Sequence, residues 1–246
     1  MIASMRVRRA AVQVHKWIAL IVGVQLLLWI AGGVVMSVVP IETVRSEDRT
    51  AVREPAALAP AGLVPLAAAL GAAELTTVRT ARLTVLLDAP VWQLTAPDGR
   101  VLAVDARSGL RLSPLPEATV RRIAIADRIG PVEVASLQRL EVAPAEYGGP
   151  VPVWQVHLDD GDGTVLYVDP DTGAVRARRS DIWRFYDLFW RLHVMDYDDG
   201  ADFNHPLLIA ASLVALLVAL SGLTLLYLRM RQSLLVWRGV RRRRSA

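Results

Sequence analysis

Four histidines are present in this chain of 246 residues, which has no cysteine. A neutral imidazole can ligate a metal ion or a haem iron, so the histidines are the first residues to consider for redox chemistry. The absence of cysteine excludes disulfides, thiol redox chemistry and covalent attachment of c-type haem. His15, His193 and His205 lie beside long apolar segments, whereas His157 lies in a predicted strand. The first three are therefore the candidate ligands of a noncovalently held redox centre.

A series of aromatic residues leads up to His193. Trp183, Tyr186 and Trp190 precede it at the spacing of one face of an α-helix. Aromatic rings favour the headgroup region of a bilayer, so the pattern predicts an interfacial amphipathic helix over residues 180–197. The aromatic face is either a membrane belt or the lining of a haem or quinone pocket. In the second case His193 binds the iron, and Trp190 and Tyr186 pack against the macrocycle.

Two apolar segments contain no Asp, Glu, Lys or Arg. Trp17–Ile41 has 25 residues and Phe203–Leu228 has 26, whereas about 20 helical residues cross roughly 30 Å of hydrocarbon. We therefore predict transmembrane helices at residues 17–39 and 204–228. The first segment exceeds the apolar core of a cleaved signal peptide, about 7–15 residues, and we interpret it as an uncleaved anchor.

The charged residues are segregated along the chain. Residues 1–16 carry four basic residues, residues 229–246 carry seven, and neither tail contains an acid. The part between them holds all 24 acidic residues and the other 17 basic ones, a net charge of −7. Basic flanks stay in the cytoplasm, so both termini are predicted to be cytoplasmic and residues 42–202 periplasmic, in a bacterial inner membrane. Because the basic excess lies in short tails, no nucleic-acid partner is predicted.

The acidic middle of the chain contains an internal repeat. Matching segments recur at an offset of 62 and then 64 residues, so the second copy has two extra residues in a predicted hairpin loop. The matched pairs are Val91-Trp92-Gln93 with Val153-Trp154-Gln155, Asp98-Gly99 with Asp162-Gly163, Val101–Asp105 with Val165–Asp169, and Ser108-Gly109 with Thr172-Gly173. We place a linker at residues 40–60, the first repeat at 61–111 and the second at 112–178.

Each repeat is predicted to contain one helix followed by three strands. The predicted helices are 62–74 and 116–129, and the predicted strands are 77–87, 91–96 and 101–105, then 132–142, 153–158 and 164–169. The predicted fold class is therefore an α+β membrane protein. Two transmembrane helices flank an extracytoplasmic domain of two αβββ repeats, and an interfacial amphipathic helix follows the repeats.

These residues resemble a known family. In each repeat, Trp-Gln followed by a hairpin and Val-Asp-x-x-[Ser/Thr]-Gly resembles the PepSY domain, and two such domains between membrane helices resemble the PepSY-associated transmembrane proteins. The membrane segments are similar to that family at His15-Lys16-Trp17, Trp29-x-x-Gly32, Leu192-His193 and Leu220-Ser221-Gly222. The resemblance covers nearly the whole chain.

The resemblance implies a function linked to iron and electron transfer. Larger family members with more helices are linked to reduction of ferric siderophores and to membrane b-type haem. This chain has only two predicted spans, so the resemblance implies a haem b electron-transfer subunit, for ferric siderophore reduction or respiratory electron flow, rather than a self-sufficient reductase. The alternative is a non-catalytic, membrane-anchored sensor or regulator whose periplasmic PepSY domain binds a peptide, protease or envelope partner.

The predicted spans limit which histidines can share one haem. A membrane helix separates His15 from His193 and His205 by roughly 30 Å or more, so one chain cannot hold one haem between them. A haem at His15 needs a second ligand from a homodimer, from a redox partner in the membrane, or from Met230 of the same chain. Each histidine also has an interpretation without a cofactor: an interfacial contact with headgroups or, for His205 between Asn and Pro, a helix start.

Two acidic clusters, Asp159–Gly163 and Asp196–Asp202, contain oxygen ligands that suit Ca²⁺ or ferric ion. The first lacks the ligand spacing of an EF-hand, and loops explain both. The sequence contains no Walker motif, Gly-rich dinucleotide loop, His-Glu-x-x-His or Gly-x-Ser-x-Gly. Nucleotide and hydrolase chemistry therefore lack a recognisable site, and any enzymatic role would be that of an oxidoreductase component.

Overall fold

The computed structural model describes residues 2–52, 58–59, 61–196, 202 and 204–244. The helices are α1 (Ile2–Val38), α2 (Ile41–Val44), α3 (Leu66–Ala72), α4 (Glu117–Ala126), α5 (Asp181–Val194) and α6 (Pro206–Arg244), with a 3₁₀ turn at Glu47–Arg49. The strands are β1 (Thr80–Leu86), β2 (Ala89–Thr95), β3 (Val101–Asp105), β4 (Glu133–Leu140), β5 (Val153–Asp159), β6 (Val165–Val168) and β7 (Val175–Arg179). The chain forms two compact units. One comprises the segments up to Val38 and from Asp187, and the other is Val39–Tyr186.

The two longest helices contain the candidate membrane spans. Leu20–Val38 in α1 has 19 residues and a mean hydropathy of 2.2, and Pro206–Ser233 in α6 has 28 residues and a mean hydropathy of 2.4. Nineteen helical residues rise about 28 Å, close to the thickness of the hydrocarbon layer. Both helices continue past the predicted spans into the basic tails. The prediction of a membrane protein with two candidate spans is confirmed.

Large apolar side chains are exposed along both of these helices. Ile21 and Leu27 on α1 are 68% and 67% exposed, and Leu217 on α6 is 67% exposed. Apolar surface of this extent is unfavourable in water and favourable in hydrocarbon. A helix also satisfies its own backbone hydrogen bonds, as a lipid environment requires. The two helices are thus suited to lipid on their outer faces.

The other unit is an α+β region with two small antiparallel sheets. The first sheet has the order β1-β2-β3 and the second has the order β4-β5-β6-β7. α3 packs on the first sheet, where Ala69 belongs to the same buried cluster as Leu94. α4 packs on the second, where Val120 and Ile123 join Leu166 in the core. Each sheet thus has one helix covering one of its faces.

The structure differs from the predicted elements mainly at their ends. β7, which pairs with β6, was not predicted, because the segment has only five residues and three of them are arginines. The second sheet therefore has four strands where three were expected. α3 and α4 are shorter than their predicted helices. α2 and the 3₁₀ turn occupy part of the predicted linker 40–60, of which residues 53–57 and 60 lie outside the described residues.

The Val-Asp-x-x-[Ser/Thr]-Gly motif forms the same turn in both copies. In each, one carboxylate oxygen of the aspartate, Asp105 or Asp169, accepts hydrogen bonds of 2.7–2.8 Å from the amides two and three residues later. The hydrogen bond from the Ser108 amide is the main cause that lowers the pKa of Asp105. The final glycines have left-handed backbone, with φ of 74° at Gly109 and 73° at Gly173. The sequence match thus reflects a shared local geometry.

The two motif glycines differ in their surroundings, which gives a matched test of packing. A Cβ at Gly173 would lie 2.7 Å from Ile123 Cδ1 and 2.9 Å from Leu86 Cδ1, whereas at Gly109 the nearest atom would be in Val64, at 3.6 Å. Both Gly→Ala changes carry the positive-φ cost of about 1–2 kcal/mol, but only Gly173→Ala adds overpacking of about 1–3 kcal/mol. We expect the free energy of unfolding, from urea titration in detergent, to fall further for Gly173→Ala. Equal losses would contradict this packing argument.

Candidate functional site

The start of α5 is fixed by Ser180. The Ser180 hydroxyl accepts a hydrogen bond from the Trp183 amide at 3.3 Å, and its carbonyl oxygen accepts one from the Arg184 amide at 3.0 Å. A serine that bonds the third following amide in this way is a helix N-cap. The helix ends at Val194, and Met195 follows with a φ of 57°. α5 thus lies within the predicted range of 180–197 and is shorter than it by a turn.

The predicted aromatic face of α5 is half-buried. Trp183, Tyr186 and Trp190 all have intermediate exposure. Phe185 and Leu188 are instead the apolar side chains of this helix with large exposed fractions, 47% and 55%. The sequence periodicity therefore identified the correct helix but not its outward apolar surface. That surface consists of residues lying between the aromatic positions.

His193 lies in the last turn of α5 and packs against α1. The indole nitrogen of Trp29 donates a hydrogen bond to the His193 carbonyl oxygen at 2.8 Å, and the Gln25 side-chain amide approaches the Leu192 carbonyl oxygen at 3.5 Å. A Cβ added at Gly32 would lie only 3.3 Å from His193 Nδ1. Glycine at position 32 therefore permits the close approach of α5 to α1, as small residues do where membrane helices meet.

The imidazole of His193 has an unsatisfied nitrogen. Nδ1 is buried, and it has no hydrogen-bond partner among the residues that the structure describes. A buried polar atom without a partner is costly and calls for a ligand or another explanation. Nδ1 lies against Gly32, so a ligand bound at Nε2 would leave Nδ1 without a partner. The side chain as a whole is half-buried, so it is not sealed inside the protein.

An apolar cavity of about 560 Å³ lies between α1 and α6. Aliphatic side chains of both helices form most of its wall, together with Met195, Trp29 and Gln25. Its volume is in the range of small-molecule and cofactor sites, roughly 300–1,000 Å³. Met195 comes two residues after His193, and Trp29 bonds the His193 carbonyl oxygen. Trp29 therefore connects His193 to the cavity wall, although His193 itself is not one of the residues that line the cavity.

The other predicted ligands are placed separately. His205 Nδ1 accepts a hydrogen bond from the Leu207 amide at 3.1 Å, which caps the start of α6 and leaves Nε2 for another partner. His15 lies in α1, 17 residues before Gly32, and its side chain is outside the described residues. Seventeen helical residues rise about 25 Å, which is less than the expected separation of His15 from His193, roughly 30 Å or more. Met230 on α6 is 58% exposed.

The acidic clusters form no metal site in the part of the chain that the structure describes, where no group of three or more His, Asp or Glu could hold a metal ion. In the first cluster, Asp160 instead accepts a hydrogen bond from Arg128 at 3.0 Å. In the second, residues 197–201 lie outside the described residues. The Asp202 amide donates a hydrogen bond to the Asp196 carboxylate at 3.1 Å.

Sequence analysis did not identify Glu146, which anchors the first turn of α5. Its carboxylate accepts hydrogen bonds from Arg184 Nε at 2.9 Å and from the Tyr167 hydroxyl at 2.7 Å. Burial alone would raise the pKa of Glu146, but the hydrogen bonds from Arg184 and Tyr167 outweigh it and hold the pKa below its ordinary value. Glu146 lies in a connection without a motif, so no sequence pattern marked it.

Replacing Glu146 tests this anchor. Glu146→Gln keeps the size of the side chain but removes its charge, and we expect the free energy of unfolding at pH 7 to fall by about 1–2 kcal/mol. The folded-state pKa is lowered, so the carboxylate stabilises the fold above the ordinary pKa of 4.5, and this contribution is lost as the pH falls through the lowered value. Urea unfolding in detergent should therefore show the two proteins converging at acidic pH. A difference that is independent of pH would refute the assignment.

The contact of Gly32 with His193 has a matched control in the next residue. A Cβ at Gly33 would meet no described atom within 4 Å. We expect Gly32→Val to separate α1 from α5 and to lower the free energy of thermal unfolding in detergent by about 1–3 kcal/mol. Gly33→Val, with the same change in helix propensity, should lack this packing cost. Equal destabilisation of the two variants would rule out a specific close approach at Gly32.

Comparison with known proteins adds a family match to this geometry. The family model described as PepSY-associated TM region matches residues 12–246, nearly the whole chain. No curated protein and no solved structure matches the chain. The match covers both candidate membrane spans and the region of the two sheets.

Proposed function

Because the chain belongs to the PepSY-associated TM region family, whose model matches residues 12–246, we propose that it is an electron-transfer subunit of the bacterial inner membrane that holds a b-type haem. The subunit serves reduction of ferric siderophores or respiratory electron flow, the roles linked to larger family members. The observation that carries the proposal is His193. Trp29 donates a hydrogen bond to its carbonyl oxygen, and Trp29 and Met195 line an apolar cavity.

Each residue around the proposed site has a distinct role. When bound, the haem supplies reversible one-electron transfer at its iron. His193 holds the iron through Nε2, and the hydrogen bond from Trp29 to its carbonyl oxygen fixes this turn of α5. Gly32 lets the imidazole lie close to α1, because a Cβ at this position would be 3.3 Å from Nδ1. Hydrogen bonds around a ligating histidine orient it and tune the metal.

The second ligand in the proposal is His205. Its Nδ1 is engaged by the Leu207 amide, so its Nε2 is available. His205 belongs to the same compact unit as His193 and follows it by twelve residues. Trp190 and Tyr186 complete the proposed site as aromatic neighbours of the macrocycle. The aliphatic wall of the cavity excludes water, which is one of the means by which a protein sets a haem potential.

The arrangement in the membrane follows from the charges. With basic tails at both ends, we propose cytoplasmic termini and a periplasmic region of residues 42–202. In this proposal the two sheets, each with its helix, are the PepSY repeats. α5 lies at the membrane surface and presents Phe185 and Leu188 to lipid. A haem at His15 would require a second ligand from a homodimer, from a redox partner in the membrane or from Met230, since the chain offers no second histidine at that end.

A spectrum of the purified protein tests the proposed function. After expression with added haem, we expect a reduced-minus-oxidised difference spectrum of b type in mild detergent. His193→Ala should lose at least half of the bound haem, because it removes a residue that would hold the iron. His157→Ala is the control, since His157 lies on β5 in the other compact unit.

The outcomes separate the two candidate functions. Loss of haem in His193→Ala but not in His157→Ala supports the electron-transfer subunit. A wild-type protein without the b-type spectrum, although it folds and haem was supplied, would refute the proposal and favour the membrane-anchored sensor. Unchanged haem content in both variants would refute the role of His193.

A further inference from the structure

A second, polar pocket of about 240 Å³ lies entirely within the unit Val39–Tyr186. Three segments form it: residues 43–49 after α1, the hairpin loop 161–164 between β5 and β6, and residues 180–182 at the start of α5. It includes part of the acidic cluster Asp159–Gly163, and the proposed haem function does not use it. We refer to it as the Arg128 pocket, after the arginine in its wall.

Arg128 is the most buried charged side chain in this pocket. Only 4% of the side chain is exposed, and Nη2 donates a hydrogen bond to Asp160 Oδ2 at 3.0 Å. Nη1 is also buried, and no hydrogen-bond acceptor for it occurs in the described part of the chain. A guanidinium nitrogen removed from water without an acceptor is strongly unfavourable. Because the residue lines a pocket, a ligand oxygen can satisfy Nη1.

A second buried donor lines the same pocket. Thr164 is 1% exposed, and its hydroxyl lies near the Asp160 carboxylate, whose pKa it lowers, without a hydrogen bond of good geometry to any described residue. Thr164 ends the hairpin loop, in which Gly161 and Gly163 have φ of 73° and 60°. A Cβ at Gly163 would lie 2.6 Å from an oxygen of the Asp181 carboxylate, so the loop packs tightly on the start of α5. Two unsatisfied donors are therefore held in a well-defined wall.

The rim of the pocket has the opposite charge. Arg49 is engaged by Asp162 at 3.0 Å, and Asp181 is engaged by Arg184 at 2.9 Å. Asp48 is exposed, and no ion pair of it is found with the residues that the structure describes. The interior thus offers hydrogen-bond donors on a cation, while the rim offers a carboxylate. This polarity matches a ligand with an oxyanion at one end and an ammonium group at the other.

We propose that the Arg128 pocket binds a small zwitterion, with its oxyanion on Arg128 Nη1 and the Thr164 hydroxyl and its ammonium group at Asp48. The volume equals that of about eight water molecules, enough for such a ligand and too small for a haem. Two sources carry this chemistry: a free amino acid and the phosphoethanolamine headgroup of a lipid. The site makes the periplasm-facing unit a binding module, independently of whether His193 holds haem.

Calorimetric titration of the full chain in a maltoside detergent tests the proposal. The probes are L-alanine, phosphoethanolamine, inorganic phosphate and ethanolamine. We expect one zwitterion to bind at least tenfold more tightly than phosphate or ethanolamine, because each of these lacks one of the two charges. Binding of L-alanine identifies the amino-acid source, and binding of phosphoethanolamine identifies the headgroup. No binding of either zwitterion, or equal binding of all four probes, would overturn the proposal.

Substitutions locate the site. Arg128→Lys keeps the charge beside Asp160 but removes Nη1, and we expect affinity to fall at least tenfold. Thr164→Val is nearly isosteric and should reduce affinity about three- to tenfold, which keeps the test valid if Arg128→Lys fails to fold. Arg122→Lys and Thr77→Val, both at exposed positions, are the controls. Wild-type affinity in Thr164→Val and Arg128→Lys would place the ligand elsewhere and refute the assignment.

Asp48→Asn separates the two ends of the ligand. We expect it to weaken binding of the zwitterion about three- to tenfold while leaving the weak binding of inorganic phosphate unchanged or stronger. This pattern requires an ammonium group at the rim. An equal loss for both probes would show that Asp48 acts on the shape of the pocket, and it would overturn the zwitterion assignment. None of these measurements involves haem, so their failure and the failure of the proposed function are distinguishable.

Discussion

Hydrocarbon offers no hydrogen-bonding partner to a polypeptide, and this constraint determines how the chain can be built. Each apolar segment must satisfy its backbone groups within itself, so α1 and α6 are long, continuous helices. The side chains on these helices need no protein core, and many of them are exposed. Polar groups at the ends of the spans must find partners within a thin bundle. Trp29 does so by donating its indole proton to a carbonyl oxygen of α5.

Two membrane helices enclose only a small interior, in which each side chain has few neighbours. Close packing between helix backbones can compensate for the contacts that are missing. Gly32 provides this approach for α5, and the imidazole of His193 fills the space that a side chain at position 32 would take. The same packing encloses Nδ1 and leaves the opposite side of the ring for a ligand. In a larger bundle a histidine would be held by several helices. Here a single glycine and one indole hydrogen bond define its position.

The features that the sequence could predict are those with a local physical cause. Hydropathy located both spans, because lipid selects for length and composition. Hairpin turn chemistry and the repeated Asp-x-x-[Ser/Thr]-Gly located most strands, because positive φ favours glycine. The helical spacing before His193 located α5. Each of these signals is complete within a segment of fewer than thirty residues.

The features that were missed depend on contacts between distant segments. β7 is stabilised by pairing with β6 and not by its own apolar pattern. Glu146 bonds Arg184, which is 38 residues away, and Arg128 meets Asp160 at a separation of 32 residues. The packing of Gly32 against His193 joins a residue of α1, near the start of the chain, to a residue of α5, which precedes the second membrane span. The hydrophobic periodicity of a segment carries no information about its contacts with distant segments. Each partner alone has the sequence of an ordinary loop or helix residue.

The two hairpins show how duplicated units within one chain diverge. In the first, Asp98 bonds its neighbour Arg100, and Arg79 donates a hydrogen bond to the Pro97 carbonyl oxygen. In the second, the tip is two residues longer, and Asp160, two residues before the counterpart of Asp98, accepts a hydrogen bond from the buried Arg128. The sheets below both tips keep the same antiparallel pairing. The longer turn thus places a carboxylate against a buried arginine, while the strand pairing below it stays antiparallel as in the first sheet.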